Sequence, residues 1–380
     1  MKAFDAIIIG TGQAGPPLAE RFVSAGMTVA IIERHKCGGT CVNTGCVPTK
    51  TLVASAYAAH VARRGAEYGF AVGGNVRVDM KRVKGRKDEI SGWSNKGVEE
   101  QLRGLKNCAV IAGHARFQSA RTVGVNDEVL EAEKIFVNVG GRASVPPLKG
   151  ISDVSFLTNS SMMHVDFLPE HLVVVGGSYV GLEFAQMYRR FGSEVTIIEM
   201  GPRLIGREDE DEDVADAVRD ILEREGKRVL LSAKCISLAK HDGRIAVGVK
   251  CDEGPPEVLG SHVLLAVGRT PNTNDLGLDR AGVATDQRGY IFVDDQLQTN
   301  VPGIWALGDC NGRGAFTHTA YNDYEIVADN LLNGDHRRVS DRIQTYALFT
   351  DPPLGRCGMT DAEIRKSGRG ALVAKYPMIE

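Results

Sequence analysis

No stretch of this sequence is apolar for long enough to cross a bilayer. The N-terminal residues run straight into Phe4 to Ile9, a run far short of a membrane span and without the flanks of a signal peptide, so a cytoplasmic protein is expected. An excess of charge of one sign is missing as well. The 45 Lys and Arg face 48 Asp and Glu, leaving −3 at neutral pH and an isoelectric point near 6.3, so neither nucleic acid nor an anionic membrane is an expected partner. Cysteines are sparse and scattered, at positions 37, 41, 46, 108, 235, 251, 310 and 357. That spacing excludes the dense disulfide framework of a small secreted domain, and no neighbouring Cys/His set completes a zinc site, so no metal site is expected. What remains is an ordinary globular composition, 43% hydrophobic and 24% charged, with 44 glycines that point to tight turns or loops lying close to a cofactor. A chain of 380 residues has room for two or three domains.

The glycines are not evenly spread. After the β-rich run Phe4 to Ile9 comes Gly10-Thr11-Gly12-Gln13-Ala14-Gly15, then a helical segment Pro17 to Ala25, then a second apolar run Val29 to Ile32 ending on Glu33. Strand, glycine turn, helix, strand and terminal acid together form a dinucleotide fingerprint. Gly10, Gly12 and Gly15 allow the tight turn and close backbone approach, the helix N-terminus faces a pyrophosphate, and Glu33 can accept hydrogen bonds from a ribose. The pattern returns at Leu172 to Val175, Gly176-Gly177-Ser178-Tyr179-Val180-Gly181, a helix through Phe191 and the strand Glu194 to Ile198 ending on Glu199. Ser178 replaces the second glycine of this copy but is still small. Glu199 would repel a 2′-phosphate, which favours NADH, although Arg203 and Arg207 stand close enough in sequence to accommodate NADPH.

Between the two copies, Met80 to Leu102 reads as a polar helix and Cys108 to Val125 as short strands. Ile135 to Val139 leads into Gly140-Gly141-Arg142, and Val263 to Val267 into Gly268-Arg269-Thr270-Pro271-Asn272; both runs look like crossings between domains. The acidic run Glu208 to Asp213 reads as the solvated start of a helix carrying Val214, Val218 and Leu222, where carboxylates suit the helix dipole.

Cys41 and Cys46 are separated by four residues, which on an undistorted helix would turn the two sulfurs about 140° apart. A bent segment is needed to bring them together, and Asn43, Gly45 and Pro48 suit one, with a helix following over Thr49 to Val61. Spacing alone leaves a structural pair open. The run Gly38-Gly39-Thr40-Cys41-Val42-Asn43-Thr44-Gly45-Cys46-Val47-Pro48-Thr49-Lys50, placed just after the first fingerprint, resembles the active-site signature of the class I, high-molecular-weight pyridine nucleotide-disulfide oxidoreductases. That family includes dihydrolipoamide dehydrogenase, glutathione reductase and mercuric reductase. Thr299 to Asp309 is similar to the family's second FAD motif.

The resemblance implies a set of roles. Cys46 is the charge-transfer thiol beside the flavin, and Cys41 the interchange thiol that attacks the substrate disulfide. Lys50 lies near flavin N5 with Glu183 as its ion-pair partner, Tyr179 gates the nicotinamide pocket, and Asp309 binds the ribityl chain. Gly39, Thr40, Gly141 and Gly268 line the cofactors, and His318 and Thr319 open a helix, Thr319 to Leu332, whose N-terminal amides face the flavin's pyrimidine edge. Cys37 either fills an apolar position beside Cys41 or scrambles its disulfide, and the remaining cysteines read as inert and buried.

The expected fold is α/β, with two Rossmann-like dinucleotide-binding domains and the start of an α+β interface domain. Residues 1–151 begin the FAD domain, 152–282 form the NAD(P) domain, 283–340 return to the FAD domain, and 341–380 begin the interface domain. In that last part Tyr346 to Pro353 resembles a first strand and turn, and Asp361 to Ser367 a first helix. The family's His-Pro-x-x-x-Glu motif has no match, so the chain reads as C-terminally incomplete, and the homodimer implied for a full-length member does not carry over directly. The expected activity is electron transfer from NADH through FAD to Cys41 and Cys46, and on to a small-molecule or protein disulfide. The alternatives are a mercuric-reductase-like metal-ion reductase, whose N-terminal metal-binding module and C-terminal cysteine pair find no match, and a flavoprotein redox sensor or scaffold without efficient turnover.

Overall fold

The computed structural model describes residues 1–206, 210–250 and 256–376. The chain opens with β1 (Ala6–Ile9), α1 (Gly15–Ser24) and β2 (Val29–Glu33), followed by the short α2 (Gly39–Asn43), α3 (Cys46–Arg63), α4 (Met80–Gly104), β3 (Cys108–Ala112), β4 (Lys134–Val137) and β5 (Gly141–Ala143). Every residue of β1 is buried, as a strand in a parallel sheet covered on both faces must be. It pairs in parallel with β2 on one side, Ala6 opposite Val29, and with β4 on the other, Ala6 opposite Lys134.

A second unit follows: α5 (Asn159–Met162), β6 (His171–Val175), α6 (Tyr179–Phe191), β7 (Glu194–Ile198), α7 (Glu212–Arg224), β8 (Arg228–Leu230) and β9 (His262–Leu265), closed by β10 (Arg269–Pro271). Its parallel sheet runs in the order β8-β7-β6-β9. A three-stranded antiparallel sheet from Lys234–His241, Arg244–Lys250 and Glu257–Gly260 is inserted before β9. Helix α6 is buried almost all round. Leu182, Phe184, Tyr188 and Phe191 are in its apolar core, and Glu183, Gln186 and Arg190 are equally buried.

The chain then returns with β11 (Ile304–Ala306) and α8 (Thr317–Asn333), and ends in the hairpin β12 (Thr345–Leu348) and β13 (Leu354–Cys357) and the helix α9 (Asp361–Ser367). Strand β11 pairs with β4, so the first sheet has the order β11-β4-β1-β2-β3. The crossings β5 and β10 pair antiparallel, Gly141 opposite Pro271 and Ala143 opposite Arg269. The architecture is therefore α/β with two Rossmann-like parallel sheets, as the sequence implied. Among the described residues no helix is long and apolar enough to cross a membrane.

Candidate active site

A single cleft of about 1700 Å³ runs past both glycine turns, the cysteine pair and the N-terminus of α8. The two turns are built alike. Gly10 has φ +105°, and a Cβ there would meet the Asn138 carbonyl oxygen at 2.3 Å; Gly176 has φ +114°, and its Cβ would meet that of Ala266 at 2.3 Å. Only glycine fits either position. Gly15 and Gly181 seat the following helices on the turns, since added Cβ atoms would lie 2.4 Å from the Gly10 oxygen and 2.1 Å from the Gly176 oxygen. Glu33 accepts from the Thr11 amide (3.1 Å) and hydroxyl (2.6 Å), while Glu199 accepts from the Gly177 and Gly201 amides at 2.6 and 2.7 Å. Both acids thus stand at the tips of their second strands, against the turn. The residues here fit an FAD, because the floor is bare backbone: a Cβ on Gly39, at φ +61°, would come 2.8 Å from the Gly12 Cα. Arg203 lies near Glu199 in sequence, whereas Arg207, with Glu208 and Asp209, lies outside the described residues.

The cysteine segment is bent, as its spacing required. Helix α2 ends at Asn43, and Gly45, with φ −129° and ψ −116°, breaks the path before Cys46 starts α3, earlier than the helix read from the sequence. The Asn43 side-chain amide donates to the Cys37 and Gly39 carbonyls, both at 2.9 Å, which holds the loop. The two cysteines are not bridged in the structure. Contact with Cys41 holds the Cys46 thiol below the ordinary range, against its burial, with help from the Thr317 hydroxyl at 3.0 Å and the Lys50 cation. The same contact, with burial, pushes Cys41 up. A thiolate at the first position of an 18-residue helix also gains from the helix dipole. Lys50, one turn further along α3, donates to both Glu183 oxygens at 2.8 and 2.9 Å, and its ammonium lies 4.2 Å from the Phe349 ring centroid.

Asp309 is met by Arg269, whose Nε donates to it at 3.1 Å and whose Nη2 reaches Thr40 Oγ1 at 3.4 Å and the Gly141 carbonyl. One guanidinium thus ties three motif segments to its own. The Tyr179 ring packs edge-on against Phe316 and Tyr346, with centroids 5.3 and 5.0 Å apart, at the mouth between α6 and α8. Helix α8 begins at Thr317, before the start expected. The His318 ring nitrogen Nε2 bonds the Thr345 carbonyl at 2.7 Å, and the Thr319 hydroxyl is spent on the Phe316 backbone, donating to its carbonyl at 2.7 Å and accepting its amide at 3.1 Å. Gly268, at φ +128°, lines the same cleft.

Three residues escaped the sequence reading. Asn138, only 5% exposed, donates to the Gly10 and Gly12 carbonyls at 3.4 and 3.2 Å and so pins the first turn. Thr317 and Arg269 complete the set; Arg269 stood inside a run read only as a crossing, where a charged residue between glycine and proline was the available signal. The acidic run needs correction. Glu210 is buried rather than solvated, bonded to the Tyr346 hydroxyl and to Arg356 at 2.7 Å, and the Asp211 carboxylate accepts the Asp361 and Ala362 amides at 3.0 and 3.1 Å. Cys37 and Cys310 are buried, and burial raises both thiols, whereas Cys357 is exposed and not inert by burial; Cys251 lies outside the described residues.

The model of the pyridine nucleotide-disulphide oxidoreductase family matches residues 4–323. The chain is 36% identical over 386 residues to the probable pyridine nucleotide-disulfide oxidoreductase RclA of Escherichia coli, covering 100% of this chain and 82% of that protein. It is 34% identical to a dihydrolipoyl dehydrogenase of Thermus scotoductus over 99% of this chain and 81% of that one. The solved structure of the Cu(II) complex of the HOCl-induced flavoprotein disulfide reductase RclA from Escherichia coli superposes with a TM-score of 0.86 at 35% identity, over 97% of this chain and 80% of that chain. Agreement over this much of the molecule, in sequence and in shape, decides the matter: the chain belongs to the pyridine nucleotide-disulphide oxidoreductase family, FAD-dependent enzymes that draw on NAD(P)H to act on sulfur groups.

Proposed function

We propose that this chain takes electrons from NADH in preference to NADPH and delivers them, through Cys46 and Cys41, to a small-molecule or protein disulfide. The observation that carries the proposal is the Cys41 and Cys46 pair, set on either side of the bend between α2 and α3 beside the Lys50–Glu183 ion pair, in the cleft that both glycine turns line. When bound, FAD would accept a hydride equivalent from the reduced nicotinamide and pass two electrons to the cysteine pair. Residues 1–151 and 283–340 would hold it through Gly10, Gly12, Gly15, Glu33, Gly39, Thr40, Gly141, Asp309 and the α8 amides. The nicotinamide nucleotide would lie on 152–282 against Gly176, Gly177, Gly181, Glu199 and Gly268, with Tyr179 at the entrance.

The exchange chemistry follows from the thiols. Cys41 attacks one substrate sulfur while its proton passes to Cys46, and the displaced sulfur leaves as a thiolate that takes this proton from Cys46 to become the first product thiol. The Cys46 thiolate, with Lys50 and Thr317 beside it, then attacks the Cys41 sulfur, forming the Cys41–Cys46 disulfide and displacing the second thiolate, which takes a proton from solvent. Disulfide reduction is favoured over the mercuric-ion reading by the likeness to RclA and dihydrolipoyl dehydrogenase. Glu199 supports NADH, because its carboxylate, with Oε2 accepting the Gly177 amide of the second glycine turn, would repel a 2′-phosphate. A cytoplasmic location belongs to the same proposal, read by fractionation; whether the homodimer implied by the family resemblance carries over to this chain is read by mass in solution.

The purified protein should be yellow, be reduced faster by NADH than by NADPH in stopped-flow absorbance, and turn over lipoamide, oxidised glutathione or another disulfide. Faster reduction by NADPH would remove the nucleotide preference. Failure with every disulfide, alongside brisk dye reduction, would leave the sensor or scaffold reading.

A further inference from the structure

Helix α6 carries a polar stripe that its burial makes conspicuous. Glu183, Gln186 and Arg190 follow one another at i, i+3 and i+7, on one face of the helix, and are 5%, 3% and 5% exposed. All three bond one short segment just after β12. Glu183 accepts the Phe349 amide at 3.1 Å. Gln186 clamps the Asp351 backbone from both sides, accepting its amide at 2.8 Å and donating to its carbonyl at 2.9 Å. Arg190 donates to the Asp351 carboxylate at 2.7 Å and to that of Glu225 at 2.7 and 3.0 Å. At the first clamped end, Phe349 is held with its ring over the Lys50 ammonium.

We propose that Gln186 and Arg190 are positioning residues for the redox thiol: by gripping Asp351 they hold Phe349 on Lys50 and the Phe349 amide on Glu183. The proposal rests on the roles given above to Cys46, Lys50 and Glu183. Its logic is electrostatic. The same Glu183 oxygen, Oε1, takes both the Lys50 ammonium and the Phe349 amide, so the amide shares the task of neutralising a buried carboxylate. Lys50 is then not fully claimed by its partner. The aromatic face shields the ammonium from water on one side, and a charge acts more strongly on its neighbours when less water screens it. The groups facing Cys46 are Cys41 on α2, Lys50 on its own helix and the Thr317 hydroxyl on α8, while Glu183 on α6 faces Lys50; His318 is turned to the Thr345 carbonyl. Releasing the segment takes the Phe349 amide from Glu183 and the Phe349 ring from Lys50 without substituting any of those groups.

The test uses FAD-loaded protein in a Cys41→Ser background, where no disulfide can form and the thiolate beside the flavin is read as a long-wavelength absorbance band. The pH midpoint of that band is measured with Gln186→Leu, Asp351→Asn, Asp351→Glu and Lys50→Met added in turn, and melting temperature is recorded for each. Lys50→Met should raise the midpoint by about one unit or more, the effect of losing an opposite charge at close range. Gln186→Leu and Asp351→Asn should each raise it by a smaller, resolvable amount, and Asp351→Glu, which keeps a carboxylate for Arg190, should restore it. If Lys50→Met shifts the midpoint but Gln186→Leu and Asp351→Asn only lower the melting temperature, the segment is merely structural and the proposal fails alone. An absent band, or one indifferent to Lys50→Met, overturns the site reading and the proposal with it.

Discussion

At the residue scale the cysteine pair divides one property unequally. Contact between the two sulfurs, with Thr317 and Lys50 beside Cys46, lowers the Cys46 thiol, while the same contact and burial raise Cys41, which favours Cys46 as the anion. Cys41→Ser should therefore give the FAD-loaded protein a long-wavelength band, and Cys46→Ser should not; the opposite result would reverse the two roles. The sign of the pH dependence follows from the shift. Because the folded thiol is more acidic than a free one, near about 8.5, the band should persist below that pH and fade only as pH falls through the depressed value. Thr317→Val removes one donor to the anion and should move the midpoint up by about one unit, since a hydrogen bond to a charged group contributes about 1.5–3 kcal/mol and one unit is about 1.4 kcal/mol. An unmoved midpoint in a folded Thr317→Val protein would show that the 3.0 Å contact does not support the thiolate. Cys41, Cys46, Lys50 and Glu183 were legible because each sits in a local motif. Thr317 was not, because nothing near it in sequence announces a thiol; the return of the chain through β11 into α8 brings the two together.

At the scale of elements, the strongly patterned pieces could be read almost to the residue. The strand Glu194–Ile198 and the helix Asp361–Ser367 have the bounds expected, since a glycine or an N-cap threonine marks their edges. Helix α3 starts earlier than expected, at Cys46, because proline is tolerated in a first turn, where its missing amide costs nothing. The antiparallel sheet inserted before β9 has no counterpart in the sequence reading. Its two longer strands begin and end on lysine, arginine or histidine and its third has four residues, so their alternation is weak. The two glycine turns make an element-level prediction. Gly181→Ala would set a methyl 2.1 Å from the Gly176 oxygen, forcing α6 off its turn at a cost of about 1–3 kcal/mol. Nucleotide binding, followed by quenching of NADH fluorescence, should weaken at least tenfold while flavin content stays at the wild-type level. Unchanged NADH affinity would mean that the turn does not seat the nucleotide.

At the scale of the whole molecule, the run of acids before α7 was misjudged because its partners are far away in sequence. Tyr346, Arg356 and the start of α9 dock on Glu210 and Asp211, and Lys375 pairs with Asp213, so the segment from β12 to α9 is tied to the second unit by carboxylates that look solvated in the sequence alone. Arg356→Ala should leave the buried Glu210 with less compensation and loosen this segment. Faster amide exchange confined to residues 345–367, with the two parallel sheets as protected as before, is the expected result; unchanged exchange would mean that Arg356 is not needed for docking. The first sheet is assembled across a comparable distance. Its edge strand β11 and the covering helix α8 come from after the second unit, whereas β1 to β4 come before it. On the ribosome, where domains form as their residues emerge, the uninterrupted second unit therefore has all its strands before the first is complete. Until Ile304 to Ala306 arrive, β4 waits with an unpaired edge of Ile135, Phe136 and Val137, the kind of edge that pairs with other chains. The unit that begins first is finished last, and its exposure during synthesis is set by how quickly the inserted unit is made.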